Sequence, residues 1–218
     1  MSVRPFDTAL MRDLFTDRDV ATLFSDSADI RAMLVVEGML AKVQGDLGVI
    51  PTDSAGFIHR SSLEVQIDPA GLSEATGQNG VCVPALVAAF RKEMEAPEHA
   101  QYAHWGATSQ DIIDTGLALR LRQALALIEA RGDRLALALA KLAGDHAATP
   151  MVARTYGQTA NPTSFGAVAA GWGWPWLAHK DRLAALRPRL LVVTLSGAAG
   201  TGAALGPKAA VTRAKLAE

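Results

Sequence analysis

Two polar clusters supply the residue types that acid–base chemistry and carboxylate binding need. The first, HWGATSQDIIDT, runs from His104 to Thr115 and holds an imidazole, three hydroxyls, an amide and the carboxylates Asp111 and Asp114. An imidazole titrates near neutral pH and serves as acid, base or cation beside an anionic ligand. Thr108 and Ser109 fall where the pattern that follows begins a helix. A helix N-terminus offers free backbone N–H groups and a partial positive charge, so Thr108, Ser109 and Gln110 are candidate carboxylate binders. The ordinary alternative is that Ser109 or Asp111 caps the helix, which such residues do more often than they bind ligands. The second cluster, ARTYGQTANPTSFG, runs from Ala153 to Gly166 and reads as a loop entering another helix. Arg154 offers a fork of donors suited to a carboxylate, although an arginine holding a neighbouring helix terminus is an equally ordinary use of it.

The remaining histidines do not extend these clusters. His59, His99 and His146 lack the paired spacing of a metal site, and His179 follows Trp172, Trp174 and Trp176 in a stretch that reads as packing, with the tryptophans in the core. Cys82 is the single cysteine, so neither an internal disulfide nor a multi-cysteine zinc site is available, and no metal is expected. A formal net charge of −1 gives no overall basic field for nucleic acid. The N-terminal MSVRPFDTALMRDLF is interrupted by Arg4, Asp7, Arg12 and Asp13, unlike a secretory leader, and the apolar stretch 165–178 meets His179, Lys180 and Asp181 before reaching a membrane-spanning length. These features predict a cytoplasmic protein with no membrane span.

Helical periodicity positions both clusters. Ile30, Met33, Leu34, Leu40, Ala41, Val43 and Leu47 recur at helix-face spacing, with Glu37 on the same stripe, where its carboxylate must be paired in the core or lie near a site. Gly48 and Pro51 stop that helix, and a loop and a short helix follow to about residue 70. Residues 71–80 read as a glycine-rich loop, and Pro84, Leu86, Val87 and Phe90 as a helix of about ten residues. From Asp111 to Ala143 the leucine pattern continues without proline, predicting a helix of about 50 Å that needs a long bundle and partner subunits to bury it. A further helix is expected from Pro162 or Thr163 to about Leu186, kinked at Pro175 and broken at Pro188. The glycines of LSGAAGTGAALG, Leu195 to Gly206, indicate a tight loop or a close helix approach. No strand precedes them, so they do not form a dinucleotide fingerprint. With no convincing strand run, the fold class is all-α.

At these residues the sequence resembles the fumarase/aspartase superfamily. GATSQDIIDT is similar to the family's first signature, ARTYGQTANPTSFG to its second, and VEGMLAKVQGDLGVIP to its N-terminal helix and turn. The segments AHWGATSQDIIDTGLALRLRQAL, RLAALRPRLL and LSGAAGTGAALG are most similar to the carboxymuconate cycloisomerase branch. The resemblance implies an N-terminal helical domain over residues 1–108 and the first part of a central long-helix bundle over 109–218. It also implies a homotetramer with shared active sites, no cofactor, and a small polycarboxylate substrate that closes to a lactone. By that resemblance His104 and Tyr156 are the candidate catalytic residues, and Thr108, Ser109, Gln110, Arg154, Thr155 and Gln158 the candidate substrate binders.

Two departures qualify the pattern. Tyr156 stands where many members carry a histidine, which favours the cycloisomerase branch over a fumarate-releasing lyase. The family's third signature, a serine-bearing loop, is not among these residues. The chain is therefore expected to represent the front of a longer enzyme, the alternatives being a lyase of the same superfamily and a helical oligomerisation fragment without catalysis.

Overall fold

The computed structural model describes residue 8 and residues 10–218. The reading of the N-terminal leader rests partly on residues 1–7 and 9, which lie outside the described residues. In chain order the helices are α1 (Arg12–Phe15), α2 (Arg18–Leu23), α3 (Asp26–Asp46), α4 (Thr52–Glu64), α5 (Ser73–Asn79), α6 (Val83–Glu93), α7 (Pro97–Ala100) and α8 (Ser109–Asp145). A two-stranded hairpin follows, β1 (Pro150–Thr155) and β2 (Gln158–Ser164), and then α9 (Phe165–Leu190) and α10 (Ala209–Leu216). Short 3₁₀ turns occupy Pro69–Leu72 and Ala203–Lys208. Among the described residues no helix is long and apolar enough to cross a membrane. The fold is predominantly α-helical, as its periodicity predicts.

The chain divides into two compact units. One joins the described residues up to Gln123 with Leu191–Glu218, and the other is Ala124–Leu190, so the boundary falls within α8.

In the first unit α3 is the central element. Ser25 caps it by accepting the Ala28 N–H at 3.2 Å, and Ile30, Met33, Leu34, Val36 and Ala41 join Ile58, Leu86, Val87, Phe90 and Ile112 in the core. Each such large side chain taken fully out of water contributes roughly 1.5–3 kcal/mol. Gly38 and Gly45 let α4 come close, because a Cβ at either would run into Ser62 or Ala55. The returning C-terminal segment closes a second cluster, in which Leu195 and Leu205 pack with Leu40. Lys208 Nζ donates to the Leu47 and Gly48 carbonyls at the end of α3, satisfying groups that a helix C-terminus leaves open.

The second unit pairs the later part of α8 with α9. Arg187 meets Glu129 through two donors at 3.1 and 2.5 Å, and Asp133 accepts from Trp176 Nε1 at 3.2 Å and from Lys180 Nζ at 2.8 Å. Gly132 leaves the room that the Trp176 ring fills.

Five local expectations are corrected. Residues 71–80 are mostly helical rather than loop, since α5 occupies seven of them, and α4 starts directly after Pro51 without the expected loop. Pro175 and Pro188 both lie inside α9, which continues to Leu190, so Pro188 does not break it. Trp172 and Trp174 are exposed rather than core, because the helix pair of this unit offers no third layer to cover them. His179 is exposed, and its Nδ1 accepts from Arg182 Nη1 at 3.1 Å instead of packing in the interior.

The second cluster departs most from expectation. It forms the antiparallel β1–β2 hairpin, with Thr155 facing Gln158 across the two-residue turn Tyr156–Gly157. Both turn residues have positive φ, 53° and 76°, the left-handed pair that matches the twist of hairpin strands.

Candidate active site

The N-terminus of α8 is held from two sides by buried polar groups. Asp111 is buried, and its Oδ2 accepts the Thr108 N–H at 3.0 Å, as an acidic side chain in the first helical turn does in a capping box. The same carboxylate reaches far along the chain. Its Oδ1 accepts from Ser196 N at 2.9 Å and its Oδ2 from Gly197 N at 2.9 Å. One turn further on, Thr115 Oγ1 donates to the Thr194 carbonyl at 3.2 Å and accepts from Thr194 N at 3.1 Å. The glycine-rich segment after α9 is thereby fixed against the start of α8. A cleft of about 330 Å³ lies there, lined by Gly106, Ala107, Ser196, Gly197, Thr201 and neighbouring alanines.

On the other side, α3 holds the turn that precedes α8. Glu37 is 1 % exposed, and its Oε1 lies 2.6 Å from His104 Nδ1. Two turns along the same helix face, the fully buried Gln44 donates from Nε2 to the Trp105 carbonyl at 2.6 Å. His104 has φ 64° and Gly106 φ 74°, so two left-handed residues make the turn. Gly106 also sits against Leu205, where a Cβ would collide with the leucine methyls.

The sequence-derived candidates separate as follows. His104, Thr108, Ser109 and Gln110 lie together in the first unit, at the start of α8. Thr108 and Ser109 are partly buried. Gln110 is exposed and donates from Nε2 to Asp114 Oδ1 at 2.6 Å, so a carboxylate would draw on its second N–H. Arg154, Thr155, Tyr156 and Gln158 belong to the second unit, on an exposed hairpin end where Tyr156 is 103 % exposed. Three described residues other than glycine have positive φ, namely Glu95, His104 and Tyr156. Two of the three are the candidate catalytic residues, and non-glycine residues in this strained region concentrate at functional sites.

Sequence reasoning left out Glu37's partner and the Asp111 grip on Ser196 and Gly197. A carboxylate on an apolar stripe announced the need for a partner, and glycines after an apolar run announced a close approach, but neither signal names a residue 67 or 86 positions away. Among the described residues no group of three or more His, Cys, Asp or Glu side chains is placed to hold a metal ion. Burial pushes the Cys82 thiol above its ordinary range, with the Asp29 charge adding to the effect, which leaves it a poor nucleophile.

Known proteins resemble this chain over most of its length. Residues 8–218 match the family described as lyase. The chain is 41 % identical over 206 residues to the 3-carboxy-cis,cis-muconate cycloisomerase of Pseudomonas aeruginosa, covering 94 % of this chain and 45 % of that protein. It is 33 % identical over 209 residues to the N-acetyl-S-(2-succino)cysteine lyase of Enterococcus italicus, covering 95 % and 45 % respectively. The crystal structure of the 3-carboxy-cis,cis-muconate lactonizing enzyme from Pseudomonas putida matches with TM-score 0.91 at 39 % identity, covering 96 % of this chain and 48 % of that one. The chain thus spans about half the length of the curated relatives it matches. A helical core, a first signature at the head of α8 and a family match over residues 8–218 place this chain in the lyase family of the fumarase/aspartase superfamily.

Proposed function

We propose that this chain supplies the front part of a 3-carboxy-cis,cis-muconate cycloisomerase. The reaction is an internal addition in which one carboxylate oxygen bonds to an alkene carbon and a proton is delivered to the neighbouring carbon, giving a lactone with no atom lost. The observation that carries this reading is the histidine held immediately before the N-terminus of α8, within 2.6 Å of a buried carboxylate. A polycarboxylate needs donors placed where charge develops, and a helix N-terminus supplies them without reorganisation.

In this reading Thr108, Ser109 and Gln110 of one subunit bind a substrate carboxylate, and Arg154, Thr155 and Gln158 add donors from the hairpin of another subunit. His104 handles the proton. Tyr156 serves as a hydrogen-bond donor. No cofactor takes part, since the reaction moves no electrons to an acceptor. The resemblance that supports this reading carries a functional division at residues 108 and 109, between an N-terminal domain and a bundle portion. The exposed apolar residues Leu135, Leu137, Trp172, Trp174 and Leu177 of the second unit support a homotetramer in which further helices cover them. A cytoplasmic enzyme fits the same reading.

The test is a spectrophotometric assay of 3-carboxy-cis,cis-muconate loss, with adenylosuccinate and N-acetyl-S-(2-succino)cysteine run in parallel. Loss of the muconate alone supports the proposal. Release of fumarate from a succinylated substrate replaces it with the lyase reading, and turnover of none of the three rejects catalysis by this chain alone.

A further inference from the structure

We propose that Glu37 is a positioning residue for His104, holding the ring with its proton on Nδ1 so that Nε2 is the nitrogen presented to a ligand. The inference deepens the proposed function and rests on it for the ligand's identity. An ionised carboxylate only accepts hydrogen bonds, so the ring nitrogen 2.6 Å from Glu37 Oε1 must carry the hydrogen. Nε2 then has a lone pair in the neutral ring and a proton to give in the charged one. The carboxylate offsets the charge of that second state.

Fold maintenance alone accounts poorly for this pair. The Glu37 side chain is fully buried, and its Oε2 has no hydrogen-bond partner among the described residues. A half-satisfied buried carboxylate is a costly way to join two elements, and well-packed apolar residues often do so at least as well. The same turn is already tied to α3 through Gln44 and the Trp105 carbonyl. His104 adds a left-handed backbone conformation, and its ring remains about 20 % exposed, so a ligand can reach it. Two unfavourable features are concentrated on one pair at the head of α8. The gain they allow is a fixed tautomer and ring orientation.

The experiment is a long-range ¹H–¹⁵N correlation spectrum of the protein labelled at histidine, with His104 assigned by its disappearance in His104→Gln. The expected result is a single Nδ1–H pattern for His104 and a mixture of tautomers in Glu37→Gln, whose amide both donates and accepts. An Nε2–H pattern in the unmodified protein, or an unchanged Nδ1–H pattern in Glu37→Gln, overturns the proposal. If Glu37→Gln does not fold, Glu37→Asp keeps the charge on a shorter arm, and a lasting single Nδ1–H pattern is then expected; an Nε2–H pattern overturns the proposal. Where the muconate is turned over, Glu37→Gln should lower kcat by about tenfold or more while KM stays within about twofold, and an unchanged kcat overturns the positioning role. Absence of muconate turnover rejects catalysis by this chain alone and leaves the tautomer result to decide the positioning of His104.

Discussion

Asp111 accepts the backbone N–H of Gly197 across 86 residues of sequence, at 2.9 Å, while also accepting from Ser196 and Thr108. One buried carboxylate thus serves as helix cap and as anchor for a distant loop. Asp111→Ala leaves three amide donors without this acceptor and should cost at least about 3 kcal/mol. Asp111→Asn keeps one acceptor oxygen and should cost less. Urea unfolding midpoints of the two variants check the order, and equal midpoints would show that the loop is held by packing.

Gly38 permits the approach of α4 to α3, since a Cβ there would enter the space of the Ser62 side chain. Gly38→Ala gains about 1 kcal/mol in helix propensity but overpacks a buried contact at a cost of about 1–3 kcal/mol. Net destabilisation is expected. Adding Ser62→Gly should recover part of it, and a double-mutant cycle of unfolding free energies measures the coupling.

The hairpin turn gives a prediction that separates structure from function. Tyr156 sits at φ 53°, a conformation asparagine adopts far more readily than tyrosine. Tyr156→Asn should stabilise the protein by about 0.5–1 kcal/mol and lower turnover of the muconate. Calorimetry with an activity assay tests both halves, and unchanged turnover removes Tyr156 from the site.

Asp133 titrates below the usual carboxylate range, first because Lys180 Nζ donates to it and next because Trp176 Nε1 does. A depressed folded-state value means that its contribution to stability is present above the unfolded-state value and is lost as pH falls through the folded one. A carboxyl ¹³C titration should show Asp133 protonating later than ordinary aspartates on acidification. Lys180→Met should move it back towards them, and no movement would assign the shift to Trp176.

The parts of this fold that repeat locally were legible in the sequence. The run from Ile112 to Leu142 announced α8 to within a few residues, because a leucine every third or fourth position is the physical requirement of a buried helix face. The hairpin was not legible. Its strands, PMVART and QTANPTS, contain two prolines and little alternation, and the turn is Tyr–Gly rather than the stronger Asn–Gly signal. His104 and the hydroxyls beside it could be picked out as chemistry-bearing types, but Glu37 as the partner of His104 could not. Pairing over 67 residues depends on how α3 packs, which no local pattern encodes.

The first unit is interrupted, with Leu191–Glu218 rejoining residues before Gln123 after the whole of Ala124–Leu190 has intervened. Asp111 therefore waits for Ser196 and Gly197 until 85 and 86 further residues have been made, and Leu40 waits longer still for Leu195 and Leu205. At about 5–20 residues per second that delay is several seconds. Throughout it the nascent chain carries a buried-to-be carboxylate in water and an apolar flank without its cover, the state on which holding chaperones act. Synthesis speed across residues 124–190 thus sets how long that exposed state lasts, a property written into the order of the chain rather than into any single contact.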